Sequence, residues 1–153
     1  MPKALLAVTW LTRLVAAGIL AMAGIMKISG DPGSVYLMET LLGAPSIARL
    51  GLGGVELVAA GLLLVPKTTL IGSGLAAVLM LGAIGSHLTK LGVSIEVAAD
   101  APEGVADAIG GPTMFAMAVV VLLGALANGA LAWSTRPNGS AEANKSNSDA
   151  TEA

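Results

Sequence analysis

Residues Ile47 to Leu88 read IARLGLGGVELVAAGLLLVPKTTLIGSGLAAVLMLGAIGSHL, and this stretch decides the fold. It holds two apolar runs, Ile47 to Val65 and Leu70 to Leu88, separated only by Pro66, Lys67, Thr68 and Thr69. A membrane span needs about 20 mostly apolar residues to cross a hydrocarbon core of about 30 Å, and each run has that length. So short a connection makes the two spans antiparallel neighbours. Working outward, Ala4 to Met26 and Met114 to Trp133 repeat the pattern. The expectation is an all-α integral membrane protein, an up-down four-helix transmembrane bundle. Its spans lie at about 4–26, 47–65, 70–88 and 114–133, within one domain over 1–135.

Composition supports this reading. The chain is 55% hydrophobic and only 12% charged, with a mean hydropathy of +0.83, whereas a soluble domain carries about twice that share of charge. Four spans and their connections use up most of the 153 residues, leaving no room for a second domain. No basic face exists for nucleic acid. The absence of cysteine removes dithiol, disulfide, thiolate-metal and iron–sulfur chemistry. Lys3, the following apolar stretch and Ala21-Met22-Ala23 could pass for a secretory signal. Arg13 interrupts that stretch and the apolar pattern continues to Met26, so the segment is read as a retained span.

Turn residues cut the chain at the same places. Gly30-Asp31-Pro32-Gly33 follows the first span, Pro66 the second, and Gly110-Gly111-Pro112 precedes the fourth. Basic residues in short loops favour the cytoplasmic side. Lys3, Lys67, Arg136 and Lys145 collect on one face, while Asp31, Glu39, Glu96, Asp100, Glu103 and Asp107 outnumber Lys27 and Lys90 on the other. Both termini are therefore expected in the cytoplasm, with Arg49 a mild counter-signal and Trp133 at the inner interface. From Arg136 the chain loses all apolar period, so 136–153 reads as a disordered tail. The Asn138-Gly139-Ser140 sequon there is read as a chance match.

Small residues must provide close helix contacts where lipid supplies no hydrophobic drive. Ala17 with Ala21, Gly82 with Ser86 and Ala125 with Gly129 are the expected internal contacts of this kind.

Ionisable groups at membrane depth mark pairing or function, and three interrupt the spans: Arg13, Glu56 and His87. Arg13 lies ten residues after Lys3, and Glu56 ten before Pro66. On antiparallel helices both would sit about 15 Å from one boundary, so an Arg13–Glu56 ion pair is expected. That pair would either lock helix register or line a polar cavity that holds a ligand head group or relays protons. Trp10, one turn before Arg13, would stack on a guanidinium or a ring ligand, or simply fill core. Lys27 and His87 form a second cluster at the outer end, where the alternative for Lys27 is to snorkel to the interface. As the only histidine, His87 does not make a metal site. It serves either as a hydrogen-bonded structural group or in proton exchange with a redox ligand. The acidic stretch Glu96 to Asp107 is either a solvated loop or a lid over an outward-facing cavity.

These residues resemble the DoxX family, in its DoxX-like branch of small four-span bacterial membrane proteins. The resemblance runs through Arg13 and Ala23-Gly24-Ile25-Met26-Lys27-Ile28. It continues in Gly54-Val55-Glu56-Leu57 with Gly61-Leu62-Leu63-Leu64-Val65-Pro66, and in Ala83 to Leu88 with His87. It implies an up-down four-helix bundle in the bacterial inner membrane. It also implies association with membrane or periplasmic oxidoreductase subunits, one such family member being the small subunit of a thiosulfate:quinone oxidoreductase. Two functions follow as expectations. The first is an accessory subunit of a quinone-linked membrane oxidoreductase, with Glu56 and His87 as partners of a quinone and Arg13 orienting Glu56. The second is a non-catalytic membrane scaffold or assembly factor. No covalently bound cofactor is expected, and the chain holds nothing from which to assemble a resident redox centre. No span shows the broken-helix pattern of a transporter.

Overall fold

The structure, a computed structural model, describes residues 3–135, with side chains from residue 6. The expected tail over 136–153, with the Asn138 sequon, Arg136 and Lys145, lies outside the described residues. Four long helices carry the fold: α1 (Lys3–Ser29), α3 (Ser46–Leu64), α4 (Thr69–Ser86) and α6 (Thr113–Ser134). Two short ones, α2 (Pro32–Val35) and α5 (Val105–Ile109), lie in the connections at one end. All four long helices are long and apolar enough to cross a membrane, which makes this a multi-pass membrane protein.

Packing closes the four helices into a ring. α1 lies against α3 and α6, and α4 against the other sides of the same two helices. Neighbours alternate in direction, so the α3–α4 hairpin shares one end of the bundle with both ends of the described chain. The hairpin's polar groups are absorbed locally. Thr68 Oγ1 donates to Leu62 O at 2.9 Å and Thr69 Oγ1 to Val65 O at 3.1 Å, satisfying carbonyls that the end of α3 would leave open.

The interior is built from small residues. Ala16, Ala17, Ala59, Ala60, Ala76, Ala118 and Ala125 are buried around Leu20, Leu63 and Val121. Large apolar side chains such as Leu11, Ile71, Val78 and Trp133 point outward, and only 22–33% of each candidate span is buried. That inversion suits a solvent of lipid tails, where packing of small residues replaces hydrophobic drive. α1 and α3 approach closely at Gly24 and Gly53. A Cβ on Gly24 would stand 2.8 Å from Gly53 O, and one on Gly53 would stand 2.9 Å from Gly24 O. Gly72 meets the backbone of Leu63 in the same way, at 2.6 Å. Of the expected small-residue pairs, Ala17 and Ala125 are buried and Gly129 lies against Ser73. Gly82 does not fit the expectation: a Cβ there would meet nothing within 4 Å.

The ends opposite the hairpin are less regular. Asp31 caps α2 by accepting from Ser34 N at 3.1 Å, with Pro32 in the first turn, as a short polar residue before proline favours. α2 then widens into a π-helical turn over Tyr36–Leu41, and α4 into another over His87–Leu91. Gly92, at φ 78° and ψ 164°, ends that second turn in a conformation open only to glycine. The following loop returns through a bridge between Ile95 and Gly111. Leu37, Ile95, Val105 and Ile109 form a second small core there, so this segment is a packed cap.

Candidate functional site

A cavity of about 450 Å³ lies between this cap and the four helices. Lys27, Ser34, Glu56, Ser86 and His87 are its polar lining, set among apolar side chains from α1, α3, α4, α6 and the cap. The expected Arg13–Glu56 pair does not form. Lys27 Nζ instead donates to both Glu56 carboxylate oxygens at 3.0 Å, and both residues are buried.

Helix register explains the correction. Leu14 and Leu64 line one surface depression together with Ala21 and Leu57, so Arg13 lies level with the end of α3. Glu56 sits roughly eight residues further along, about 12 Å at the helical rise. Aligning Lys3 with Pro66 assumed helices of equal reach, whereas α1 runs for 27 residues and α3 for 19. The Gly24–Gly53 contact fixes the actual register and puts Lys27 within reach of Glu56.

Arg49 holds this pair in place. Its Nη1 donates to the Lys27 backbone carbonyl, and its Nε donates to Glu39 Oε1 at 3.0 Å. The residue that counted mildly against the expected orientation is thus a buried clamp between α1, α3 and the π-helical turn. Replacing Arg49 with methionine is expected to leave Glu39 solvated but to free the end of α1. Faster hydrogen exchange at Lys27 to Ser29, with the middle of α1 unchanged, would be the signature.

His87 joins the same cavity as Glu56, whereas the sequence placed it in a separate cluster with Lys27. Its Nδ1 lies 2.8 Å from Gly92 O. A carbonyl can only accept, so Nδ1 carries the proton and a neutral ring keeps Nε2 as an acceptor. Phe115 meets the ring edge-on, with centroids 5.6 Å apart, and fixes its plane.

Three features of the site escaped the sequence reading. Ser34 is 7% exposed and its hydroxyl has no hydrogen-bond partner. The cavity also gathers Met22, Met26, Met38, Met80, Met114 and Met117, which is six of the chain's seven methionines. Flexible thioethers make a lining that adapts to its contents. The count was visible in the sequence, but the convergence was not, because these residues come from four separate elements. Asn128, buried on α6, was the third omission, and it accounts for Arg13.

Arg13 and Trp10 occupy another place. Arg13 Nε donates to Asn128 Oδ1 at 3.3 Å and the guanidinium carbon lies 5.5 Å from the Trp10 ring centre. Asn128 Nδ2 in turn donates to Thr12 Oγ1 at 3.1 Å and Gly124 O at 2.8 Å. The five candidate residues therefore divide into a cavity group, Lys27, Glu56 and His87, and a second group nearer the hairpin end, Arg13 and Trp10. Among the described residues no cluster of three His, Cys, Asp or Glu could hold a metal ion.

Comparison with known families, with curated proteins and with solved structures returns no match for this chain. The class defined by the fold and the cavity is a four-span membrane protein with a polar-centred, methionine-lined chamber.

Proposed function

We propose that this chain is a membrane-embedded binding subunit of a quinone-linked oxidoreductase, as its resemblance to the DoxX-like branch implies. One observation carries the proposal: the buried, unpartnered Ser34 hydroxyl in an apolar chamber that also holds the Lys27–Glu56 pair and His87. An orphaned buried hydroxyl costs about 1–3 kcal/mol, and a ligand oxygen would satisfy it. The residues fit a quinone head group. Ser34 donates to a ring carbonyl, Lys27 supplies a second donor, and the Nε2 of His87 is positioned to accept or release a proton. A quinone bound there would supply two-electron, two-proton redox chemistry, with the electrons exchanged by partner subunits.

Access to the chamber is from the bilayer. Met22 and Val78, on α1 and α4, both line it yet are 49% and 67% exposed, at positions inside the spans where the surroundings are lipid. A ligand that partitions into the membrane reaches the chamber without crossing the cap.

The test is native mass spectrometry with lipid extraction of protein purified gently from its own membrane. A co-purifying quinone is expected, with binding weakened about fivefold in Ser34→Ala, which removes one hydrogen bond worth roughly 1 kcal/mol. Ala83→Phe, which fills the chamber and leaves the ion pair intact, is expected to abolish binding. Quinone retained by the filled variant would overturn the assignment.

A second reading has its own observation. Lys27 engages both Glu56 oxygens and is itself tied through Arg49 to Glu39, a network that closes without a ligand. A scaffold or assembly factor needs nothing more, and an apo-protein carrying only a partner polypeptide would favour it.

The proposed orientation places the hairpin end in the cytoplasm, by the loop charges. With no native cysteine, single labels are readily introduced. Lys67→Cys should resist a membrane-impermeant thiol reagent in intact cells, while Ser94→Cys should react.

A further inference from the structure

Arg13 is a cation inside a spanning helix, and among the described residues no anion meets it. Among the described residues the ion pairs are Lys27 with Glu56 and Arg49 with Glu39, and the contacts of Arg13 are a neutral amide and an indole. The described carboxylates Asp31, Glu39, Glu96, Asp100, Glu103 and Asp107 sit in connections at the cap end, and Glu56 is held by Lys27. None stands at the hairpin end. The only ionisable side chain described in the hairpin is Lys67, which is exposed and adds positive charge.

The side chain is aimed at the interface. Helical side chains tilt toward the N-terminus, so the Arg13 guanidinium reaches back over Trp10, one turn nearer the start of α1. Trp10 is partly exposed, with Leu11 and Leu14 exposed beside it, which places the pair on the lipid-facing surface. An indole is favoured at headgroup level, and its face orients the guanidinium by a cation–π contact. Asn128 fixes Nε while itself held by Thr12 and Gly124, leaving the fork of Nη groups for a planar or tetrahedral anion. Arginine matches phosphate in two parallel hydrogen bonds.

We propose that Arg13, Trp10 and Asn128 form a binding site for the phosphate of an anionic phospholipid at the hairpin-end interface. The site is separate from the chamber and independent of what the chamber binds. It would seat the bundle at a fixed height in the leaflet.

The test uses the full chain, delipidated in a neutral detergent and titrated with phosphatidylglycerol or phosphatidylcholine, each adduct read by native mass spectrometry. Phosphatidylglycerol should bind about tenfold more tightly than phosphatidylcholine, which offers the same phosphate oxygens but sets a choline cation beside them that repels the guanidinium and cancels the net charge. Arg13→Gln should lose that preference. Trp10→Leu, which leaves the Arg13–Asn128 contact in place, should reduce it and serves if Arg13→Gln fails to fold. In a Trp133→Phe background the emission of Trp10 should shift on adding phosphatidylglycerol. Equal affinity for the two lipids, or a preference surviving in both variants, would overturn the proposal. So would displacement of the lipid by millimolar inorganic phosphate, which would assign the site to a soluble anion, or occupation of Arg13 by a carboxylate of a co-purifying protein.

Discussion

Lys27→Met is expected to destabilise the bundle by about 3–5 kcal/mol, the scale for stranding one member of a buried ion pair. The cause is the carboxylate left behind. Both oxygens of Glu56 accept from Lys27 Nζ at 3.0 Å, and no other donor to them is described. Glu56→Leu should cost a comparable amount by stranding the ammonium. The double variant Lys27→Met/Glu56→Leu should recover most of the loss, since apolar replacement of a whole buried pair is often neutral or stabilising. Thermal unfolding in one detergent, compared across the four proteins of the cycle, gives the coupling directly. If the two single losses simply add, the pair is not a coupled unit. The double variant also separates structure from binding, because it should fold while losing the chamber's charged lining.

The second large effect is expected at the crossing of α1 and α3. Gly53→Val places a branched side chain where even a Cβ would stand 2.9 Å from Gly24 O and from the Lys27 Cβ. Backbone cannot yield as a flexible side chain can, so the helices must separate. A loss at or above the upper end of the roughly 1–3 kcal/mol range for overpacking follows. Separation also lengthens the reach from Lys27 to Glu56, so the variant should loosen the chamber as well. Gly54→Ala is the control one position away, where a Cβ meets nothing within 4 Å; it should be nearly neutral or slightly stabilising, because alanine is the better helix former. Melting temperatures of the two variants should differ clearly, and similar values would remove the close approach as the determinant of register.

Helix positions were legible because the bilayer imposes length and apolarity on every span. Runs beginning at 4, 47, 70 and 114 became helices beginning at Lys3, Ser46, Thr69 and Thr113, with proline and glycine at the cuts. The buried polar residues were legible one at a time for the same reason. A charge among leucines is costly wherever the helix is placed, so Arg13, Glu56 and His87 could be singled out without knowing their neighbours.

Their partners were not legible. Pairing depends on axial register and rotation, which composition leaves free, and in this chain backbone contact decides both. Gly24 on Gly53 slides α1 along α3 until Lys27 meets Glu56 and Arg13 passes to Asn128. The cap was beyond reach for a related reason. The 92–112 segment has neither helical nor strand period, and its order comes from the Ile95–Gly111 bridge and from packing against Leu37 and Gly33. From the sequence alone came four spans, their antiparallel order and the few side chains that lipid will not tolerate, because those follow from length and transfer free energy. Tertiary structure decided which of those side chains meet, how six methionines converge on one chamber and where a hydroxyl is left without a partner, because those follow from close packing between helices distant in sequence.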